Sequence, residues 1–309
     1  MRRIWAVAVN TFREAVRYRV LNGVLGVALA VLVLSLALAE LSLDQQRRIV
    51  LDIGLASISL FSVVVAVFLG SSLLYKEIER KTLYVILPKP IHRHEFLLGK
   101  YFGITLTAFV FIAIMGSVQL CVATLQAGGN VVWLAGALLG LPALLGVAMY
   151  KASDRTAVLV PWSAFSLVVC AFIAADAKIV LGPILAAMLL TLGEVLMLSA
   201  VALVFSAFST PFLTALFTFG VWVVGRSADL MLSMKKGMLP EPLIAFLQDL
   251  ARVWPNFNIF VPGRHTLEKQ LDAVAGPLTY VGSTMGYALT YSAVLLVFAS
   301  LIFRRRDFL

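Results

Sequence analysis

Eight runs of about twenty apolar residues, parted by short polar stretches, constrain this chain more than any other feature: 20–39, 53–74, 102–125, 131–150, 156–175, 180–208, 212–232 and 278–303. A helix needs ~20 apolar residues to cross a ~30 Å hydrocarbon core, and inside that core each backbone N–H and C=O must be satisfied within the bundle. The reading is an all-α polytopic membrane protein with about eight transmembrane helices. Composition agrees, since 13% of residues are charged against ~25% in a soluble domain. No stretch between runs is long enough for a sizeable soluble domain, so 1–309 reads as a single transmembrane domain. Pro142 and Pro161 interrupt the fourth and fifth runs. A re-entrant hairpin over 131–175, leaving six spans, is the alternative. Residues 40–52 read as a polar connection, 126–130 as a turn, and Ser209-Thr-Pro211 as a tight turn.

Charge sets the expected orientation. The net charge of +9 would suggest nucleic acid in a soluble chain, but sixteen of the 25 Lys and Arg residues fall on the side that holds both termini, residues 75–101 and residues 151–155. That asymmetry places this side in the cytoplasm of a multi-pass protein of the cell inner (plasma) membrane. It makes anionic lipid headgroups, not nucleic acid, the partner of the excess charge. Residues 1–19 read as an amphipathic interfacial helix, with Ile4, Trp5, Ala8, Val9, Phe12, Ala15 and Val16 on one face and Arg2, Arg3, Arg13, Glu14 and Arg17 on the other. Residues 233–277 form the long extracytoplasmic loop. Leu243, Phe246, Leu247, Leu250, Val253 and Trp254 predict an amphipathic helix within it, stopped by Trp254-Pro-Asn-Phe257.

Residues 75–101 are a polar island between two membrane-length runs, with nine charged side chains. Ile78, Thr82, Val85 and Ile86 recur at helical spacing and predict a helix over 76–87. Pro88 and Pro90 end it, and a second helix starts near Ile91. Glu77-Ile-Glu79-Arg-Lys-Thr82, Leu87-Pro-Lys-Pro90-Ile91, Arg93, Glu95-Phe96 and Gly99-Lys100 resemble the first cytoplasmic loop of exporter-type ATP-binding-cassette (ABC) permeases of the ABC-two class. The similarity is to the branch that includes the nitrous-oxide-reductase maturation permease. Thr11-Phe-Arg-Glu-Ala-Val-Arg17 resembles that family's N-terminal elbow helix. The family often has Ser or Thr where this chain has His92, and its commonest pattern has six spans, so runs four and five stand out as an insertion.

The resemblance implies a cytoplasmic coupling helix that docks on a separate ABC ATPase subunit through Glu77, Ile78, Glu79, Arg80, Thr82, Leu83, Val85, Ile86, Leu87, Pro88, Pro90 and Arg93. It implies ATP and magnesium on that partner, no cofactor on this chain, and a homodimer or paired permease. On this reading the chain is a non-catalytic permease subunit of an exporter. The rival readings are a secondary transporter, which would want an internal repeat and broken helices, and an integral membrane enzyme without an ATPase partner.

The residues themselves offer little chemistry of bond breaking. There is no P-loop, His94-Glu95 does not extend to H-E-x-x-H, and no G-x-S-x-G occurs. His92 and His94 make a weak metal signal. Cys121 and Cys170 lie inside runs, where a small apolar role is expected and a disulfide is not implied. Glu194 is the one carboxylate deep in an apolar run. It reads either as a polar spot on a translocation path or subunit interface, or as a hydrogen-bonded tie between helices. Arg226 and Asp229, one turn apart, read as a surface pair.

Overall fold

The computed structural model describes residues 2–41, 45–79, 92–152, 154–234, 240–261 and 276–305. Among the described residues every regular element is helical: α1 (Arg2–Val16), α2 (Arg19–Glu40), α3 (Gln46–Glu79), α4 (Arg93–Gln126), α5 (Val131–Lys151), α6 (Leu159–Asp176), α7 (Leu181–Ser206), α8 (Pro211–Arg226), α9 (Ala228–Leu232), α10 (Glu241–Val253), a 3-10 turn (Asn258–Phe260) and α11 (Gly276–Arg305). Seven of these, α2 to α7 and α11, are long and apolar enough to cross a membrane, which makes this a polytopic membrane protein.

Three long helices form the centre. Buried residues make up 61% of the apolar window of α3 and 78% of those of α4 and α7, against 11–22% for α2, α5, α6 and α11. The last four therefore form the rim of the bundle. With no water to exclude between helices in lipid, close packing of small residues holds such a centre together. A Cβ on Gly70 of α3 would lie 2.4 Å from the Cβ of Ala202 on α7, so the two backbones meet there. Ser59 of α3 meets Glu194 of α7 further back, so α3 and α7 run in the same direction. Both end at what is called here the near end of the bundle, where residues 80–91 join α3 to α4. Gly54 leaves room for Gln119 of α4, whose Nε2 donates to the Val50 carbonyl at 3.0 Å.

Several expectations are corrected. The second span is longer than 53–74: α3 begins at Gln46, so most of the polar connection predicted over 40–52 is helix, with Arg48 and Asp52 paired across one turn at 3.5 Å. Residues 76–79 continue α3 and do not begin a new helix. The fourth and fifth runs are full helices on either side of residues 152–158, each long enough to cross. Gly128, at φ +72°, makes the turn before α5, and Asn130 caps that helix by accepting from the Val132 N–H at 2.9 Å. The predicted span 212–232 breaks at Ser227 into α8 and α9. The 16 residues of α8 cover only ~24 Å. The break has a cause: the Gly225 carbonyl is taken from outside the helix by the Phe257 N–H at 3.0 Å.

Helix α1 is seated lengthwise on the first turns of α4. Its residues Ala8, Thr11, Phe12 and Ala15 are buried, so only part of its apolar face, Trp5 included, is left free. Gly99 and Gly103 of α4 make the seat. A Cβ on Gly99 would lie 2.5 Å from Val7 Cβ, and one on Gly103 2.5 Å from Thr11 Cβ. Lys100, buried, pairs with Glu14 at 3.6 Å, and Arg3 approaches Glu95 at 3.9 Å. Overpacking such a contact typically costs ~1–3 kcal/mol. Gly99→Val is therefore expected to lower the melting temperature of the detergent-solubilised protein well below that of Gly136→Val, a control on the rim helix α5 with nothing within 4 Å of the added Cβ. Equal melting of the two variants would show that α1 is not seated there.

Candidate functional site

The residues that the sequence assigns to coupling divide into two sets. Glu77, Ile78 and Glu79 form the last turn of α3, and Arg93 opens α4. Arg80, Thr82, Leu83, Val85, Ile86, Leu87, Pro88 and Pro90 lie outside the described residues. His92 is the N-cap of α4, and its backbone N–H donates to Glu95 at 3.1 Å, the carboxylate half of a capping box. The His92 and His94 rings stack at 5.3 Å. The Gly99-Lys100 pair seats α1. The other end of α1 reaches the α5–α6 connection, where Arg13 bonds Asp154 and Thr156 Oγ1 donates to the same carboxylate at 3.0 Å. The Arg13 hydrogen bond holds the Asp154 carboxyl below the usual carboxylate range.

A charge cluster inside the bundle is built around Glu194, near the midpoint of α7 and itself inaccessible to solvent. Its Oε2 accepts from Ser59 Oγ of α3 at 2.9 Å. Its Oε1 accepts from Trp222 Nε1 and from an Arg226 guanidinium nitrogen, both on α8 and both at 2.7 Å. Arg226 also lies over the Trp222 ring, 5.6 Å from its centroid. One carboxylate thus joins three helices. Thr214, Thr218, Trp222 and Arg226 recur every fourth residue, which puts them on one stripe of α8. Arg226 does not form the surface pair with Asp229 that spacing suggested. It turns inward to Glu194, while Asp229 accepts from Asn256 and Asn258.

Two further hydroxyls extend the polar strip toward the near end. Ser62 is one turn from Ser59, and Thr218 is one turn from Trp222. Both are buried, with no hydrogen-bond partner among the described residues. Thr105, Ser199, Ser206 and Ser292 are likewise without one, whereas Ser57, Thr107, Ser117 and Thr124 each donate to the carbonyl four residues back.

The far end of the cluster is covered by residues 254–260. After α10 the chain does not simply leave the bundle, as the Trp254-Pro-Asn-Phe257 stop suggested. It turns back into it. Trp254 Nε1 donates to the Val221 carbonyl at 3.0 Å, Tyr280 Oη of α11 donates to the Ile259 carbonyl at 2.6 Å, and Tyr287 Oη accepts from the Asn256 N–H at 3.3 Å. Phe257 and Phe260 are buried, Phe257 against Gly225 and Phe260 against Gly193, the neighbour of Glu194. Hence the ion pair sits beneath an aromatic cover held by α8 and α11.

A second feature lies between α4, α5 and α6. Cys121 and Cys170 are free thiols 3.5 Å apart, one turn from a Ser117–Ser166 pair at 3.1 Å, beside a cavity of about 90 Å3. The cavity is walled largely by Leu138, Leu141, Pro142 and Trp162. No three His, Cys, Asp or Glu side chains converge among the described residues. The Glu194 cluster can hold a charged group within the bundle. Neither a family model nor a curated protein matches the chain.

Removing one partner of a fully buried ion pair costs roughly 3–5 kcal/mol, because the other charge is left stranded. Arg226, with its side chain 26% exposed, belongs at the lower end of that range. Glu194→Ala and Arg226→Ala are each expected to destabilise the protein markedly, and the double variant by clearly less than the sum. Thermal unfolding in detergent gives the cycle. Additive losses would mean that the two charges do not act as a pair.

Proposed function

We propose that this chain is the membrane-spanning, non-catalytic subunit of an ABC exporter-type transporter in the cell inner membrane. It works as a homodimer or paired permease with a separate ATPase subunit that binds ATP and magnesium. The resemblance of residues 77–100 to the coupling loop of ABC-two permeases supplies the identity of the partner. One structural observation carries the mechanics. The two helices flanking that loop, α3 and α4, have 34 residues each, ~51 Å of helix for a core of ~30 Å. Both are central, so a push on the loop is delivered along stiff rods into the middle of the bundle. Because α1 is seated on the first turns of α4, it travels with them.

In this reading the amphipathic face Ile78, Thr82, Val85 and Ile86 docks on the ATPase, and the flanking Glu77, Glu79, Arg80 and Lys81 govern partner choice more than affinity. Leu83→Asp or Val85→Asp is expected to abolish co-purification of the ATPase subunit while membrane insertion persists. A cysteine at Leu87 should crosslink to that subunit. Normal association of both Asp variants, together with no crosslink, would defeat the coupling role. The positive-inside count gives a separate expectation for topology: reporters fused at Leu309 and within 151–155 both read out the cytoplasm. An external signal from the 151–155 fusion would overturn the crossing of α5 and α6.

A further inference from the structure

We propose that Arg226 and the exposed stripe of α8 form a binding site for an anionic amphiphile, with the headgroup on the guanidinium and the apolar tail along the helix. Phe212, Leu216, Phe219 and Val223 are all exposed, and they recur at intervals of four, three and four residues, so they form one continuous stripe. Three residues beyond Val223 the same stripe reaches Arg226. The track is ~21 Å long, entirely apolar until its far-end terminus, and there it meets a cation.

The bonding around that cation leaves it able to change partners. A guanidinium carries five N–H donors. In the resting arrangement one nitrogen serves Glu194, while the side chain stays 26% exposed. Ser59 and Trp222 hold one Glu194 carboxylate oxygen each, so hydrogen bonds, though not the opposite charge, remain to Glu194 if the guanidinium turns away. Asp229, one turn further along, is already occupied by Asn256 and Asn258. An incoming carboxylate or phosphate can therefore take the guanidinium from Glu194, with the Trp222 ring against it and its tail on the stripe. Glu194 acts as the internal competitor that keeps Arg226 neutralised when the site is empty. The binding site stands on this geometry alone. Its role as the exported substrate's site rests on the transporter reading.

The test is equilibrium binding to the purified full chain in nanodiscs of zwitterionic lipid, without any ATPase, using a labelled fatty acid and the matching fatty alcohol. The acid is expected to bind at least about tenfold tighter than the alcohol, the ratio given by one charge-assisted hydrogen bond. Arg226→Gln should abolish that preference. Glu194→Gln should tighten binding of the acid by about tenfold and leave the alcohol unchanged, since it removes the competitor and keeps hydrogen-bonding capacity toward Ser59. Equal binding of acid and alcohol by the wild-type chain, or no gain in the Glu194→Gln variant, would overturn the proposal. So would acetate competing as well as the fatty acid, because the stripe would then add nothing. Failure here leaves the coupling loop standing, and failure of the Leu87 crosslink leaves this site standing.

Discussion

Nothing inside a bilayer will hydrogen-bond a stray polar group, and the structure follows from that constraint. It confines the described backbone of the spans to helices. It also sends most span hydroxyls back onto their own helix carbonyls, as at Ser57, Thr107, Ser117 and Thr124. Gln119 is accommodated in part, by a glycine opposite it and by the Val50 carbonyl, which accepts from its Nε2. Glu194 obeys the same constraint at a harder level. A charge in that position needs several donors and an opposite charge. Three helices are drawn together to provide them, and residues 254–260 close over the result.

Seven of the eight predicted spans were legible because hydropathy reports the solvent directly, and so were the turn at 126–130 and the helix over 241–253. Glu194 was legible as an anomaly, a carboxylate in an apolar run. Its partners were not, since Ser59 is 135 residues away and Arg226 32. The fourfold spacing of Thr214, Thr218, Trp222 and Arg226 carried the signal for α8, but an apolar run long enough to cross hides a polar stripe from any average over the window. The start of α3 was misplaced for a related reason. Gln46, Arg47 and Arg48 are polar, and polarity marks where the hydrocarbon ends, not where the helix does. The return of residues 254–260 depends on backbone groups of Val221 and Gly225, which leave no mark in the sequence.

The seat of α1 changes the meaning of Gly99-Lys100. As part of a coupling motif the pair would be expected to face a partner, yet Gly99 admits α1 and Lys100 is buried against Glu14. The same helix carries Arg3 toward Glu95 and Arg13 onto Asp154. Thus α1 bridges the beginning of α4, immediately after the loop, to the connection between α5 and α6. Whatever displaces the first turn of α4 displaces three elements together. That gives the pair α5–α6, which otherwise touches the centre mainly through α6 and α4, a polar tie to the near end.

An ion pair is a poor way merely to hold α3, α7 and α8 together. Replacing a buried pair by well-packed apolar side chains of similar volume is often neutral or stabilising by ~1–4 kcal/mol, because desolvation of the two charges offsets most of their attraction. The rest of this core shows what plain adhesion looks like here: Gly70 against Ala202, with no polar group at all. At Glu194 the arrangement differs in a way that adhesion does not require. The guanidinium side chain remains a quarter exposed while its partner is fully enclosed, and the carboxylate keeps two other hydrogen-bond donors if Arg226 turns away. A tie has no need of an exposed member, whereas the exchange of partners proposed for Arg226 requires one.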